Sequence, residues 1–235
     1  MFSHTLLPQR YSLAPGPNSG VHLSLLGLPS PFVQEVYFAG EHRGRYYLLQ
    51  EWIEGESLGD VFDRGDVLSV SEARGLICDL FEEILIPLWS VGTIWWDLRD
   101  DNYCLQVHGN RRRLVMIDTD SLMAYAKEIV ETPESFTKRD RIKPRAMQRV
   151  KTMVENLAWA PFLGQSLPRQ EASRLKRTIA AIRSEAEPCF LQPGRLTGGR
   201  EAFGRMLRRL DDEVWCGVLR KDEDDRETDK RSENG

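Results

Sequence analysis

No lysine precedes Lys127, so the fixed positive charges of the first half of the chain are arginines, and carboxylates outnumber them. From Lys127 to Arg220 the balance turns basic, yet the whole chain carries a formal net charge of −4. That balance speaks against a nucleic-acid binder, which would show a strong basic excess. Cysteine is sparse. Cys78, Cys104, Cys189 and Cys216 lie far apart, no Cys-x-x-Cys pair occurs, and the four histidines are equally scattered. Structural zinc needs closely spaced ligands, so reduced, mostly buried thiols are expected instead. No apolar run approaches the ~20 residues that span a bilayer, and the first residues lack the basic-then-apolar pattern of a signal peptide. The expected location is cytoplasmic, with no membrane span. No internal repeat is present.

What the chain does have is the content of an ordinary globular protein, 235 residues with 41% hydrophobic and 29% charged side chains. This is enough for one domain with a sizeable core or for two small lobes. Residues 1–20 hold Pro8, Pro15, Gly16, Pro17 and Gly20 and read as an irregular arm. Residues 32–38 and 46–52 are rich in β-formers and flank a Gly-Glu-His-Arg-Gly turn, which predicts a hairpin. Between Ser71 and Trp89, apolar residues recur at Ala73, Leu76, Ile77, Leu80, Phe81, Ile84, Leu85 and Leu88, the pattern of a buried helix face. Ser71 is the expected N-cap, with Pro87 and Gly92 marking the exit. A second hairpin follows from residues 102–107 and 114–117 around His108-Gly109-Asn110. From Ser121 to about Leu219 the spacing predicts helices, notably 147–159, 169–182 and 200–219, with Thr132-Pro133-Glu134 as a helix start. Residues 221–235 are almost wholly polar and are expected to be disordered.

The chemistry-bearing side chains gather at the ends of the second hairpin. Asp97 precedes Asn102 by five residues, and Asp118 follows the apolar run Leu114-Val115-Met116-Ile117. If the two strands pair, Asn102 and Asp118 lie side by side and offer the oxygen ligands that magnesium prefers. Asp97 would then accept or orient the proton of an attacking hydroxyl, and Arg99 would offset charge on a transferring phosphoryl group.

The stretch from Leu88 through Trp95-Trp96-Asp97-Leu98-Arg99-Asp100-Asp101-Asn102 resembles the catalytic loop of the protein-kinase-like superfamily, His-Arg-Asp-Leu-x-x-x-x-Asn. Asp118-Thr119-Asp120 falls where that family has Asp-Phe-Gly, and Tyr46 to Leu58 resembles its fifth strand and hinge. The resemblance covers about residues 31–122. It implies an α+β fold with a truncated, β-containing front lobe and a mainly α-helical back lobe. The divisions would be 1–20 arm, 21–58 partial front lobe and hinge, 59–220 back lobe with the catalytic hairpin, and 221–235 charged tail. It implies ATP and Mg2+ as cofactors, with Asp97 and Arg99 catalytic and Asn102, Asp118 and Asp120 at the metal. Adenine would meet the backbone from Glu51 to Ile53, and Ser57 would lie near the ribose. The acceptor would be a hydroxyl, that of a protein Ser or Thr first, or of a small molecule.

The departures are as specific. Trp95 and Trp96 replace the family's His and Arg, and Asp120 replaces a glycine. An Asp-x-Asp ending is similar to the aminoglycoside, choline and lipopolysaccharide sugar kinases. No Gly-x-Gly-x-x-Gly loop or lysine precedes the hinge. Three expectations follow: the gene start is misplaced, or Arg10, Arg43 or Arg45 takes the lysine's place, or the domain is a degenerate pseudokinase that serves as a binding scaffold.

Overall fold

The β-forming segments around residues 36–50 close into an antiparallel hairpin in the computed structural model, which describes residues 7–9, 31–43, 45–90, 93–95, 97–117, 122–124, 133–186 and 196–216. Strand β2 (Val36–His42) pairs with β3 (Arg45–Gln50), from His42↔Arg45 at the turn to Val36↔Gln50, with a bulge between Val36 and Phe38. Arg43 takes a positive φ of 51° in the turn, a left-handed conformation that L-residues adopt at a cost. A third strand, β1 (Leu7–Gln9), pairs with β3 from the other side. Over residues 7–9 a strand thus stands where an irregular arm was expected, and the other residues of 1–20 lie outside the described residues. Pro8 is tolerated there because β1 lies at the sheet edge, where a missing N–H breaks no ladder.

Residues 51–55 lead into the short β4 (Glu56–Ser57) and helix α1 (Leu58–Arg64). The Ser57 hydroxyl caps α1 by accepting the Asp60 N–H, and Gly65 ends it at φ 69°. Helix α2 (Val70–Cys78) starts at Ser69, not at the expected Ser71. Ser69 Oγ accepts the Glu72 N–H at 3.1 Å while the Glu72 carboxylate accepts the Ser69 N–H at 3.0 Å. That reciprocal box needs a Glu three residues on, which Ser69 has and Ser71 lacks.

The helix continues through Asp79–Leu85, wound wider, and then through α3 (Ile86–Ser90). Pro87 is therefore inside the helix and not at its exit. The Ile86 N–H reaches Phe81 O, five residues back, so the ladder has already left the i−4 register in which a pyrrolidine ring clashes. The buried side is the one spaced out in the sequence, with Ala73, Leu76, Ile77, Leu80, Phe81, Ile84 and Leu85 each at most 1% exposed.

Strands β6 (Tyr103–His108) and β7 (Arg111–Met116) form the second hairpin, which extends a sheet of order β4-β6-β7. A further pair joins β5 (Thr93–Trp95) to β8 (Leu122–Ala124). The spacing predicts helix from Ser121 on, and β8 corrects this. Three residues carry no readable period, so the partner strand decides.

Helices α4 (Pro133–Trp159), α5 (Arg169–Ile182) and α6 (Leu196–Arg209, continued by a wide turn over Leu210–Trp215) make up the rest. Pro133 opens α4, where its missing N–H costs nothing. The core between these elements includes the stacked rings of Phe81 and Phe203, 4.9 Å apart, and the fully buried Trp215, which donates to Ala158 O at 3.1 Å. The architecture is α+β, with small antiparallel sheets and a mainly helical remainder. Among the described residues no helix is long and apolar enough to cross a membrane. Arg10 and the 221–235 tail lie outside the described residues.

Candidate functional site

Leu98 is buried, and it anchors a loop that turns through Asp100–Asn102 into β6. Asn102 closes that loop on itself. Its backbone N–H donates to Arg99 O at 3.0 Å, and its side-chain Nδ2 donates to Asp97 O at 2.8 Å. Asn102 is 5% exposed, so both bonds are made out of water, where they hold best. The Asn102 carbonyl in turn accepts the Ile117 N–H at 3.0 Å, one step beyond the Tyr103↔Met116 pair. The strand pairing expected from the sequence is present up to Ile117. Asp118 and Asp120 lie outside the described residues.

Asp97 and Arg99 face each other. The Arg99 Nε donates to both Asp97 carboxylate oxygens, at 3.0 and 3.2 Å. The Asp97 side chain is 15% exposed against 46% for Arg99, so the carboxylate is recessed under the guanidinium. With its amide nitrogen committed to Asp97, Asn102 keeps Oδ1 as its remaining acceptor, the kind of neutral oxygen a hard cation takes. Among the described residues no group of three His, Cys, Asp or Glu side chains stands close enough to hold a metal.

Ser57 comes up beside this loop. A Cβ on Gly59 would stand 2.2 Å from Asp101 Oδ1 and 3.2 Å from Ser57 Oγ, so α1 begins against the Asp101 carboxylate. Gly55 faces less yielding atoms, because a Cβ there would meet the backbone Leu105 O at 2.4 Å and the buried Cys104 Sγ at 2.5 Å. Only glycine lets the segment after β3 lie this close to β6. Of the expected adenine-binding groups, both backbone groups of Glu51 are already used. Its N–H donates to Glu35 O at 2.8 Å and its carbonyl accepts Gln34 Nε2 at 2.6 Å. Among the described residues the backbone groups of Trp52 and Ile53 have no such partner, and the Trp52 side chain is three-quarters exposed.

Three residues that matter here carry no sequence signal. Asp79 sits on the wide turn after α2, 3% exposed, and accepts the Leu114 N–H at 3.0 Å and Arg111 Nη1 at 3.0 and 3.2 Å. Gln34 donates its own N–H to Met116 O at 2.8 Å while Met116 N–H reaches Phe32 O at 2.9 Å. Asp79 and the 32–34 segment thus satisfy the outer edge of β7, and Gln34 ties that strand to Glu51. The third residue is Asp101. Toward the tip of the hairpin, Arg112 bridges Glu56 and Glu72 at 3.1 and 3.0 Å, and Arg64 joins Glu56 to Asp66. Burial pushes the Glu72 carboxyl up, but the Ser69 N–H and the Arg112 guanidinium outweigh it and leave the group below its ordinary value. Burial pushes the Cys104 thiol up.

No protein-family model matches the chain, and no curated protein does. Among solved structures, the chain is similar to the crystal structure of Rad53 1–466 in complex with AMP-PNP, with a TM-score of 0.46 and 18% identity over 82% of this chain. The match covers 49% of that chain, so the protein spans about half of its length.

Proposed function

We propose that the chain is a phosphotransferase of protein-kinase-like design, which moves the γ-phosphoryl group of ATP to a hydroxyl. The observation that carries this reading is the closed loop from Asp97 to Asn102, in which the Asn102 amide holds the Asp97 carbonyl at 2.8 Å and the Asn102 carbonyl holds Ile117. That loop fixes a recessed carboxylate and a neutral oxygen donor in one turn and holds Ile117, the residue before Asp118 in the sequence. In phosphoryl transfer the protein has little covalent work to do, and positioning and charge do most of it.

In this scheme Asp97 accepts a hydrogen bond from the incoming hydroxyl, orients its oxygen and takes up its proton as the new bond to the γ-phosphorus forms, the bond to the β,γ-bridging oxygen breaks and ADP leaves. Arg99, now on Asp97, swings or shares its guanidinium toward the phosphoryl oxygens. Asn102 and Asp118 would hold Mg2+, with Asp120 as a further carboxylate. The chemistry of the Asn102 oxygen fits a hard cation. Magnesium when bound supplies charge neutralisation on the phosphates. Because the backbone of Glu51 is spent on Gln34 and Glu35, the base is read by Ile53 and the neighbouring Trp52 backbone, with Ser57 toward the ribose. A protein Ser or Thr is the first acceptor to test. The Asp-Thr-Asp order at 118–120 favours a small-molecule acceptor as the second.

The test is calorimetry with ATP, with and without Mg2+, on the wild type and on Asp118→Asn. Binding that requires Mg2+ and weakens in the variant is expected. A wild type that binds no nucleotide under either condition sinks the catalytic reading and leaves a binding scaffold.

A further inference from the structure

Buried polar atoms without a partner are few in a folded chain, and each marks strain, a bound water or a bound ligand. Two of them are amide oxygens beside Glu51. Gln34 is 8% exposed and its Nε2 donates to Glu51 O at 2.6 Å, yet its Oε1 is buried with no donor. That orientation is forced, because turning the amide over would set oxygen against oxygen. Gln50 Oε1 is likewise buried and without a donor. The two glutamines fall on one side of the strand pairing. Gln50 pairs with Val36, and Gln34 stands two residues before Val36, whereas Glu35 between them is exposed. Gln34 also spans the two halves of the site, through Nε2 to Glu51 and through its own N–H to Met116 O at 2.8 Å, one residue before Ile117.

Neither oxygen is open to bulk water, so the donor that completes it is a bound group. By accepting from Nε2, the Glu51 carbonyl polarises the Gln34 amide and makes Oε1 a better acceptor. The acceptor that Glu51 has spent is thus carried one bond further, onto Gln34. Among the described residues the backbone of 52–55 makes no hydrogen bond, so the segment next to Glu51 is the one that yields to admit a ligand.

We infer that Gln34 Oε1 and Gln50 Oε1 select the base of the nucleotide, by accepting the two hydrogens of an exocyclic amine such as that of adenine. An oxo group in the same position brings a further acceptor and leaves every oxygen there unpaired. A site built to hydrogen-bond a substrate N–H rejects an analogue that lacks it far more sharply than an apolar pocket does. The inference rests on the phosphotransferase reading and adds to it the side chains that choose the base.

The test is calorimetry of the full chain in Mg2+ with three nucleotides. These are ATP, ITP with an oxo group in place of the amine, and purine riboside triphosphate with neither. The wild type should bind ATP tighter than ITP by about 10- to 100-fold, with purine riboside triphosphate between them because it orphans the oxygens without adding one. Gln34→Met and Gln50→Met keep the side-chain length and remove the oxygen. In the double variant the preference should shrink to about threefold or less. Thermal melts report whether that variant folds. If it does not, Gln50→Met alone, which leaves the bond to Glu51 in place, should still narrow the preference. A wild type that binds ATP and ITP alike, or a folded variant that keeps the full preference, overturns the inference and leaves the phosphotransferase reading standing, with ordered water as the partner of the two oxygens. A wild type that binds none of the three sinks that reading and this inference with it.

Discussion

Replacing Asp79 by alanine should destabilise the protein more than any other single change to a carboxylate in the described structure, and the reason is a backbone group. Leu114 is fully buried, and its N–H points away from β6 to Asp79 Oδ2. With the carboxylate gone, that N–H keeps no acceptor, which costs about 1–3 kcal/mol. Arg111, half exposed, regains water and adds little. Asp79→Ala should therefore cost about 2–3 kcal/mol once the small void is included. Asp79→Asn keeps an acceptor for Leu114 and loses only the charge-assisted part of the bonds, about 1 kcal/mol. Urea unfolding of the three proteins measures this directly, with m unchanged as the sign that the end states are comparable. An alanine variant within about 0.5 kcal/mol of the wild type would refute the argument. So would an asparagine variant as unstable as the alanine one, because the loss would then not lie in the Leu114 bond.

Gly55→Ala places a methyl against the Leu105 carbonyl and Cys104 Sγ, both fixed, and should cost about 1–3 kcal/mol in a thermal melt. Gly59→Ala meets the end of the exposed Asp101 side chain and, at 3.2 Å, the Ser57 hydroxyl, neither of them backbone, and should cost far less, so equal losses at the two sites would contradict the geometry. Glu72 has a folded-state pKa below its ordinary 4.5, despite burial that pushes it up, because Ser69 and Arg112 stabilise the carboxylate. Its contribution is present above about pH 4.5 and lost as pH falls through the lowered value. The stability gap between wild type and Glu72→Gln should accordingly close in acid, and a gap that widens there would reverse the assignment.

Much of the fold was readable because it rests on period and capping. The buried side of residues 73–85 followed from apolar spacing alone, α5 matched over 169–182, and Pro133 marked a helix start. The start of α2 was misplaced by two residues although Ser69-Val70-Ser71-Glu72 contains the reciprocal cap, because two serines competed and only one has its glutamate three residues on. Pro87 misled because the widened turn before it appears only in the backbone. At the site, Asp97, Arg99 and Asn102 were visible as a spaced set, and the structure brings them together. Asp79 and Gln34 were not, since each acts on a strand through partners 35 and 17 residues or more away. A carboxylate in an apolar helix face looks like a surface residue until the unpaired N–H beside it is known.

That bond has a consequence for the molecule in company. A sheet margin with free amides is a template on which a foreign strand can grow. At β7 the inner half of that margin is taken, at Leu114 by a side chain and at Met116 by the 32–34 segment. Among the described residues no segment covers that margin at the tip, from Arg111 to Arg113, where Val107 of the paired β6 is 75% exposed. A stretch that short, made of three consecutive arginines, gives an aggregating chain little to copy. Loss of Asp79 would lengthen it, so the variant weakened in folding would also be the one most prone to self-association.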